Sequence, residues 1–298
     1  MEQRMAILGC GYLGSELARQ ALSKGFRVVA LTRNPATAEA LRKLGVQQVM
    51  EAELDDDSWH EAVNSDQDYV VNCVGSAGGG LQGYAKSYLD GQGSVARWMK
   101  KGRVGTFLYT SSVSVYPQMD GQLVDETFSC EGTSDRGALL LASESVCFPG
   151  PASIERSFVL RLAGIYGPQR HIYLNHLRAG AREIPGDGEA FLNLIHRDDA
   201  CAAIWAVLSS SSEIPGRIYN LSDGHPVPRK ELVEWLARRL GVEVPPFTGI
   251  PLSRTGADPT QPLPNRKIDN LRIREEVSWE PCYPSFREGY ADLLGDAS

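Results

Sequence analysis

The chain has 298 residues, 42% of them hydrophobic, and a formal net charge of −7. Its length can supply the core of one large domain or two moderate ones, whereas its acidic balance argues against nucleic acid and anionic membranes as main partners. No apolar run reaches the roughly 18 residues of a membrane span, no secretory leader is visible, and the six cysteines lie far apart without zinc-ligand spacing, so we expect a cytoplasmic protein with no metal site.

Strand-like and helical patterns alternate through the first half of the chain. Strands are predicted at 4–8, 28–32, 46–50, 69–74, 106–110 and 157–162, and helices between them at 13–24, 36–44, 58–63, 84–100 and 137–146. This alternation predicts parallel strands joined by right-handed crossovers, which is the α/β doubly wound parallel sheet of a Rossmann fold. After Gly164 the elements become shorter and less regular, with clear helices at 198–208 and 229–240. We therefore predict a doubly wound domain at 1–165 and a smaller C-terminal region at 166–298, partly interleaved with the sheet.

A glycine-rich turn joins the first strand to the first helix. It reads Gly9-Cys10-Gly11-Tyr12-Leu13-Gly14. In this setting the first glycine permits a tight turn, the second lets the backbone approach a pyrophosphate, and the third allows close packing of helix and strand. The start of the helix then presents amide N–H groups to the phosphates. The turn predicts a dinucleotide site, with a ligand-free glycine turn as the plainer alternative.

The end of the second predicted strand bears on the choice of dinucleotide. Folds that select NAD place an acidic residue about 20 residues past the turn, where it binds the ribose 2′-hydroxyl. This chain has Arg33 there, and a guanidinium can pair with a 2′-phosphate. We predict NADP as the preferred cofactor, with NAD as the alternative. An ordinary solvated arginine is the alternative interpretation of Arg33.

Four further segments, taken in order, resemble those of the extended short-chain dehydrogenases/reductases, the NAD-dependent epimerase/dehydratase-like group. They are Ser111-Ser112-Val113-Ser114-Val115-Tyr116, Arg161-Leu162-Ala163-Gly164-Ile165-Tyr166-Gly167-Pro168, Ile195-His196-Arg197-Asp198-Asp199 and Tyr219-Asn220-Leu221-Ser222-Asp223. Because the resemblance extends over nearly the whole chain, it implies an NAD(P)-binding Rossmann domain followed by a substrate domain. It also implies a small-molecule substrate, and related folds often form homodimers through helices 84–100 and 137–146.

The resemblance implies roles for the matched residues. Ser112 falls on the catalytic Ser/Thr of the family, which hydrogen-bonds the reacting oxygen, and Ser114 would line the same pocket. His196 would face the substrate, although a structural histidine is the plainer interpretation. The positions that would lie along the cofactor are the pair Glu53-Leu54, beside the adenine, and Cys73, Val74 and Gly75, after the fourth strand.

The helix at 137–146 departs from the family pattern. The family places a catalytic Tyr and, four residues later, a Lys on this helix, and these positions correspond here to Arg136 and Leu140. Arginine stays protonated and leucine has no donor, so neither can do that work. The family asparagine on the preceding helix corresponds to Tyr88. These departures resemble the atypical branch of the family, which keeps the fold and often the cofactor.

Three functions remain open from the sequence. The first is an NADP-dependent oxidoreductase acting on a small polar or sugar-like carbonyl compound, with Ser112 orienting the substrate. Its proton donor would be Tyr88, or else Tyr84, Tyr116 or Arg136, with a proton relay through water near Ser112 as a further alternative. The second is a non-catalytic NADP sensor, which loss of the Tyr/Lys pair would leave. The third is a sugar-nucleotide epimerase or dehydratase.

Overall fold

The structure, a computed structural model, describes residues 2–76, 78–148, 152–249 and 265–295. Its strands are β1 (Arg4–Leu8), β2 (Arg27–Thr32), β3 (Gln48–Glu51), β4 (Gln67–Asn72), β5 (Val104–Ser112), β6 (Leu123–Val124), β7 (Ile154–Leu162), β8 (Gly164–Tyr166), β9 (Phe191–Leu192), β10 (Leu194–His196), β11 (Ile218–Leu221), β12 (Val227–Pro228) and β13 (Lys267–Ile268). Its α-helices are α1 (Tyr12–Ser23), α2 (Pro35–Leu44), α3 (Gly80–Ala85), α4 (Gly91–Met99), α5 (Asp135–Ser145), α6 (Ile172–Arg178), α7 (Arg197–Leu208), α8 (Arg229–Leu240), α9 (Leu271–Val277) and α10 (Phe286–Leu294). Across the described residues, no helix is both long and apolar enough to span a bilayer.

A parallel sheet organises the chain, as the alternation of strands and helices predicts. In the described residues it has seven strands in the order β3-β2-β1-β4-β5-β7-β11. The register pairs Ala6 of β1 with Val29 on one side and with Val70 on the other. Because the strands are parallel, their last residues lie along one edge, which we call the carboxyl edge. Ligands of open α/β sheets bind beyond this edge.

Local signals fix the first two helices close to their predicted bounds. The side chain of Asn34 accepts a hydrogen bond from the Thr37 amide at 3.1 Å and so caps α2, which ends at Gly45 in the left-handed conformation. Gly25, after α1, also has a positive φ of 80°. These are the residue types that commonly begin and end helices.

Three other elements differ from their predictions. The helix predicted at 58–63 is a single 3-10 turn, Asp57–His60, which the side chain of Asp56 caps. The helix predicted at 84–100 begins earlier, at Gly80, and contains a π-helical turn at Lys86–Asp90 between α3 and α4. The strand predicted at 69–74 ends at Asn72, because the Asn72 side chain accepts the amide N–H of Val74 and turns the chain out of the sheet.

The chain divides into two compact units, each made of three segments. Unit 1 comprises Met1–Val115, Thr133–Arg161 and Cys201–Tyr219, and unit 2 comprises Tyr116–Gly132, Leu162–Ala200 and Asn220–Ser298. In unit 1, Trp59 and Trp98 pack at 5.2 Å within a core that includes Phe107 and Tyr109. In unit 2, Tyr166 stacks on Tyr290 at 5.0 Å within a second core.

Candidate functional site

Two glycines of the predicted turn are required by the packing of unit 1 itself. Gly9 follows β1 with a φ of +81°, and a Cβ there would lie 2.5 Å from Cγ2 of Val74. A Cβ on Gly14 would lie 2.9 Å from the carbonyl oxygen of Gly9. The turn is also held to β2, because the amides of Gly9 and Cys10 both donate to the carbonyl oxygen of Leu31, at 2.9 and 2.8 Å. A side chain at Gly9 or Gly14 would therefore displace the backbone.

Gly11 differs from the other two glycines, because a Cβ at this position would meet nothing within 4 Å. It is exposed and directly precedes α1, where Tyr12 is half-buried and Leu13 is buried. Among the described residues, no side chain caps the start of α1, and its first turn holds no acidic residue. The amides and the partial positive charge of a helix start favour an anion here. Open space at Gly11 therefore fits a phosphate-bearing ligand better than an internal packing requirement.

The ends of β2 and β3 bring two predicted cofactor residues together. Nη1 of Arg33 lies 3.7 Å from Oε1 of Glu53, and their side chains are 47% and 43% exposed. Leu54, in contrast, is buried in the core of unit 1, where its carbonyl oxygen accepts a hydrogen bond from Nε1 of Trp59 at 3.2 Å. Arg33 and Glu53 are therefore the members of this group whose side chains can reach a ligand.

The end of β4 is held by two residues that the sequence alone did not single out. Buried Asn72 donates from Nδ2 to Oε1 of Gln92 at 2.7 Å and accepts the Val74 amide at 3.1 Å. This pairing positions Cys73-Val74-Gly75, in which Cys73 is half-buried and Gly75 is exposed. Burial of the sulfur raises the pKa of the Cys73 thiol above its usual range, which disfavours the thiolate form.

Two adjacent serines at the end of β5, Ser111 and Ser112, have different environments. Ser111 is buried and donates to Oε1 of Glu144 at 2.5 Å, while Arg161 donates from Nη2 to Oε2 of the same carboxylate at 2.7 Å. Ser112 is half-buried, and its Oγ accepts the amide N–H of Ser114 at 3.1 Å. A hydroxyl that accepts this bond keeps its own hydrogen to donate. Ser112 is therefore able to donate to a substrate oxygen, whereas Ser111 supports a buried ion pair.

Three side chains pack in a row beside the π-helical turn. The rings of Tyr84 and Tyr88 lie 4.5 Å apart, and the guanidinium of Arg136, at the start of α5, lies 5.5 Å from the ring centre of Tyr84. Tyr88 is half-buried and packs against the core of unit 1. Leu140, which the sequence comparison with the family pattern matched to its lysine, is fully buried. A π-helical turn inside a helix frequently marks a functional site, and Tyr88 lies within this one.

The structure gives His196 a buried position inside unit 2. Its side chain is 0% exposed and lies between the rings of Tyr283, at 4.0 Å, and Tyr166, at 5.3 Å. Its Nδ1 accepts the amide N–H of Asp198 at 3.3 Å, and burial lowers its pKa. The substrate-facing position expected of His196 is therefore not the one observed, and the structural interpretation fits better.

Unit 2 also holds buried acids whose environment the sequence did not reveal. Both carboxylate oxygens of Asp199 accept backbone N–H groups, from Cys282 at 2.8 Å and from Tyr283 at 2.9 Å. Asp223 accepts the His225 amide at 2.9 Å through Oδ1. Burial raises the pKa of Asp223 to about 8. Motif matching finds these residues, but their burial depends on the packing of distant segments.

Comparison with known proteins identifies relatives over most of the chain. The model of the family described as "NAD dependent epimerase/dehydratase family" matches residues 5–222. Protein YeeZ of Escherichia coli K12 is 30% identical over 289 residues, which cover 95% of this chain and 97% of YeeZ. A 2-alkyl-3-oxoalkanoate reductase of Stenotrophomonas maltophilia is 26% identical, covering 78% of this chain and 74% of the reductase.

Solved structures share the fold. The UDP-glucuronic acid 4-epimerase of Bacillus cereus, in complex with UDP-glucuronic acid and NAD, superposes with a TM-score of 0.82, 18% identity and coverage of 99% of both chains. At that identity the likeness shows the fold alone. The extent of the family match and the YeeZ alignment confirm the family predicted from the motifs. The chain belongs to the NAD dependent epimerase/dehydratase family.

Proposed function

We propose that the protein is an NADP-dependent oxidoreductase that acts on a small polar or sugar-like carbonyl compound, with NAD as a weaker cofactor. The observation that carries the proposal is the open space at Gly11 in front of the start of α1, with Arg33 at the end of β2. The first feature suits a pyrophosphate and the second a 2′-phosphate. The reductase relative, whose name specifies an oxo acid, and the NAD complex of the epimerase support a nicotinamide dinucleotide and a carbonyl substrate.

The chemistry proposed for this site divides between the cofactor and two side chains. A nicotinamide bound here would supply the hydride to the carbonyl carbon, or in the reverse direction accept it from the alcohol carbon. Ser112 donates a hydrogen bond to the carbonyl oxygen and orients it. Tyr88 delivers the proton to that oxygen, so that hydride and proton together convert the carbonyl to an alcohol. Tyr88 packs against the ring of Tyr84, which itself lies beside the positive charge of Arg136, and this environment supports the role proposed for Tyr88.

A binding titration tests the cofactor. Isothermal calorimetry with NADP and with NAD is expected to give the lower Kd for NADP, and Arg33→Ala is expected to remove most of that difference. Arg42→Ala is the matched control, because Arg42 is similarly exposed and pairs with Glu51 at 2.6 Å. Equal affinity of the wild type for both cofactors would overturn the NADP preference.

A turnover assay tests the reaction. Oxidation of NADPH is followed at 340 nm against a panel of sugar aldehydes, ketoses and 3-oxo acids. We expect Ser112→Ala and Tyr88→Phe each to lower kcat about 10²- to 10⁴-fold while the Kd for NADP stays unchanged. Tyr84→Phe is the control, since it removes the hydroxyl of the ring that packs beside Tyr88. A loss in Tyr84→Phe with normal turnover in Tyr88→Phe would reassign the proton donor.

One observation favours a second candidate, a non-catalytic dinucleotide sensor. Arg136 and the buried Leu140 occupy the positions where the family holds its Tyr and Lys. NADP binding with no turnover across the whole panel, including sugar nucleotides, would replace the oxidoreductase by this sensor. Interconversion of a sugar nucleotide without net NADPH oxidation would instead indicate an epimerase.

A further inference from the structure

The contact between Arg33 and Glu53 joins the ends of two neighbouring strands. Thr32 of β2 is paired with Glu51 of β3, and the amide of Ala52 donates to the carbonyl oxygen of Thr32 at 3.2 Å. This bond extends the strand pairing by one residue, directly before Glu53. The backbone therefore holds Arg33 and Glu53 side by side at the carboxyl edge.

A neighbouring ion pair shows how loose this contact is. Arg42 and Glu51 have similar exposure, 45% and 39%, but their charged atoms lie 2.6 Å apart and form a hydrogen bond. The atoms of Arg33 and Glu53 lie 3.7 Å apart, beyond hydrogen-bond distance. An exposed ion pair of this kind contributes little to folding.

The two charges respond in opposite ways to the two dinucleotides. A 2′-phosphate brings about two negative charges, which Arg33 attracts and Glu53 repels. A ribose 2′-hydroxyl brings no charge and can donate a hydrogen bond to a carboxylate, as acidic residues do in folds that select NAD. Of the neighbours Glu53 and Leu54, Leu54 is buried, so Glu53 is the one whose side chain can reach a ligand.

We infer that Glu53 is a specificity-determining residue: it opposes the 2′-phosphate that Arg33 attracts, and it thereby keeps NAD as a usable second cofactor. The inference rests on the proposed dinucleotide site. Both side chains then respond to the group at the ribose 2′ position: Arg33 produces the preference for NADP, and Glu53 limits the size of that preference.

The test compares Kd values for NADP and NAD in the wild type and in Glu53→Gln, measured by calorimetry on the full chain. The variant keeps the size and polarity of the side chain and removes its charge. We expect the Kd for NADP to fall about three- to tenfold, and the Kd for NAD to stay constant or rise, because one repulsive charge near the phosphate has gone. Added salt should reduce the gain, since it screens exposed charges.

Glu51→Gln is the matched control, because it removes the same charge two residues earlier, from the pair with Arg42. It should change the ratio of the two Kd values less than about twofold. A ratio that Glu53→Gln leaves unchanged, or that Glu51→Gln shifts as far, would overturn the inference. Equal wild-type affinity for both dinucleotides would overturn the proposed NADP preference alone, and a shifted ratio in Glu53→Gln would still support this role. A wild type that binds neither dinucleotide would overturn both.

Discussion

At its carboxyl edge the sheet is followed by the glycine turn and the buried Glu144–Arg161 pair, whereas at its amino edge it begins beside exposed ion pairs. The side chains of Arg161 and Glu144 are 6% and 5% exposed, while those of Arg103 and Glu155, which pair at the amino edge, are 75% and 53% exposed. An Arg–Glu ion pair is therefore part of the buried interior at the carboxyl edge, whereas at the amino edge the same two residue types form an ion pair exposed to solvent.

The amino edge also has a cleft, of about 310 Å³, lined by Asp68, Arg103, Glu155 and Arg156 among others. Its charges are met by partners within unit 1. Arg156 donates to the carbonyl oxygen of Ser211 at 2.8 Å, and Asp68 accepts the amide of Arg4 at 2.7 Å. At the carboxyl edge, in contrast, Gly11 faces open space before a helix start. Concavity and charge alone therefore do not identify a ligand site, and open space in front of a helix start is the better guide.

The largest effect is expected from breaking the buried pair at the carboxyl edge. Arg161→Met would leave the Glu144 carboxylate buried without its ion-pair partner, and with the hydrogen bond from Ser111. The free energy of unfolding should therefore fall by about 3–5 kcal/mol. Urea denaturation measures this loss. The double variant Arg161→Met/Glu144→Leu should recover part of it, because no charge is then buried. A loss below about 1 kcal/mol in the single variant would show that water reaches the carboxylate.

The second effect separates two glycines of the turn. Gly9→Ala should lower the free energy of unfolding by about 1–3 kcal/mol, because Gly9 has a positive φ and its Cβ would meet Val74. Gly11→Ala should leave the melting temperature nearly unchanged but raise the Kd for NADP about tenfold or more, because its Cβ would occupy the space assigned to the pyrophosphate. Thermal unfolding and calorimetry measure the two quantities. An unchanged Kd for NADP in Gly11→Ala would show that the pyrophosphate does not bind at this turn.

These contrasts show what the sequence could and could not predict. The glycine turn and its flanking elements were predictable because they are contiguous and use residue types with fixed conformational roles. The pairing of Glu144 with Arg161 and of Asn72 with Gln92 was not, because each joins different elements whose separation depends on the assembled sheet. A structural role for His196 was the plainer interpretation of the sequence, but its contact with Tyr283 was not predictable, since Tyr283 comes from a distant segment.

The third effect concerns a buried acid that differs from Glu144 in its surroundings. Asp223, in unit 2, has a pKa of about 8, above the value of about 3.9 for an unfolded chain, because burial penalises its charged form. The folded state therefore binds more protons between these values, and stability should fall as the pH rises from about 4 to about 8. In Asp223→Asn this slope should be reduced.

Urea denaturation at several pH values between 4 and 9 measures the slope for Asp223. The stabilisation by Asp223→Asn, relative to the wild type, should grow with pH and level off above about 8. Asp120→Asn, at an exposed position of the same unit, is the control and should leave the slope unchanged. Parallel pH profiles for the wild type and Asp223→Asn would show that Asp223 is ionised in the folded protein at neutral pH.

The smallest effect is expected at the amino edge. Arg103→Ala removes a guanidinium that is three-quarters exposed and paired with Glu155, and such pairs contribute about 0–1 kcal/mol because water and salt screen them. The free energy of unfolding should change within that range, and the Kd for NADP should stay constant, because the cleft that Arg103 lines lies at the opposite edge of the sheet from Gly11. Calorimetry of Arg103→Ala beside Gly11→Ala compares the two edges directly. If the Kd for NADP rose as much in Arg103→Ala as in Gly11→Ala, the amino edge would contribute to binding as much as the carboxyl edge. The proposed site, which lies at the carboxyl edge alone, would then be wrong.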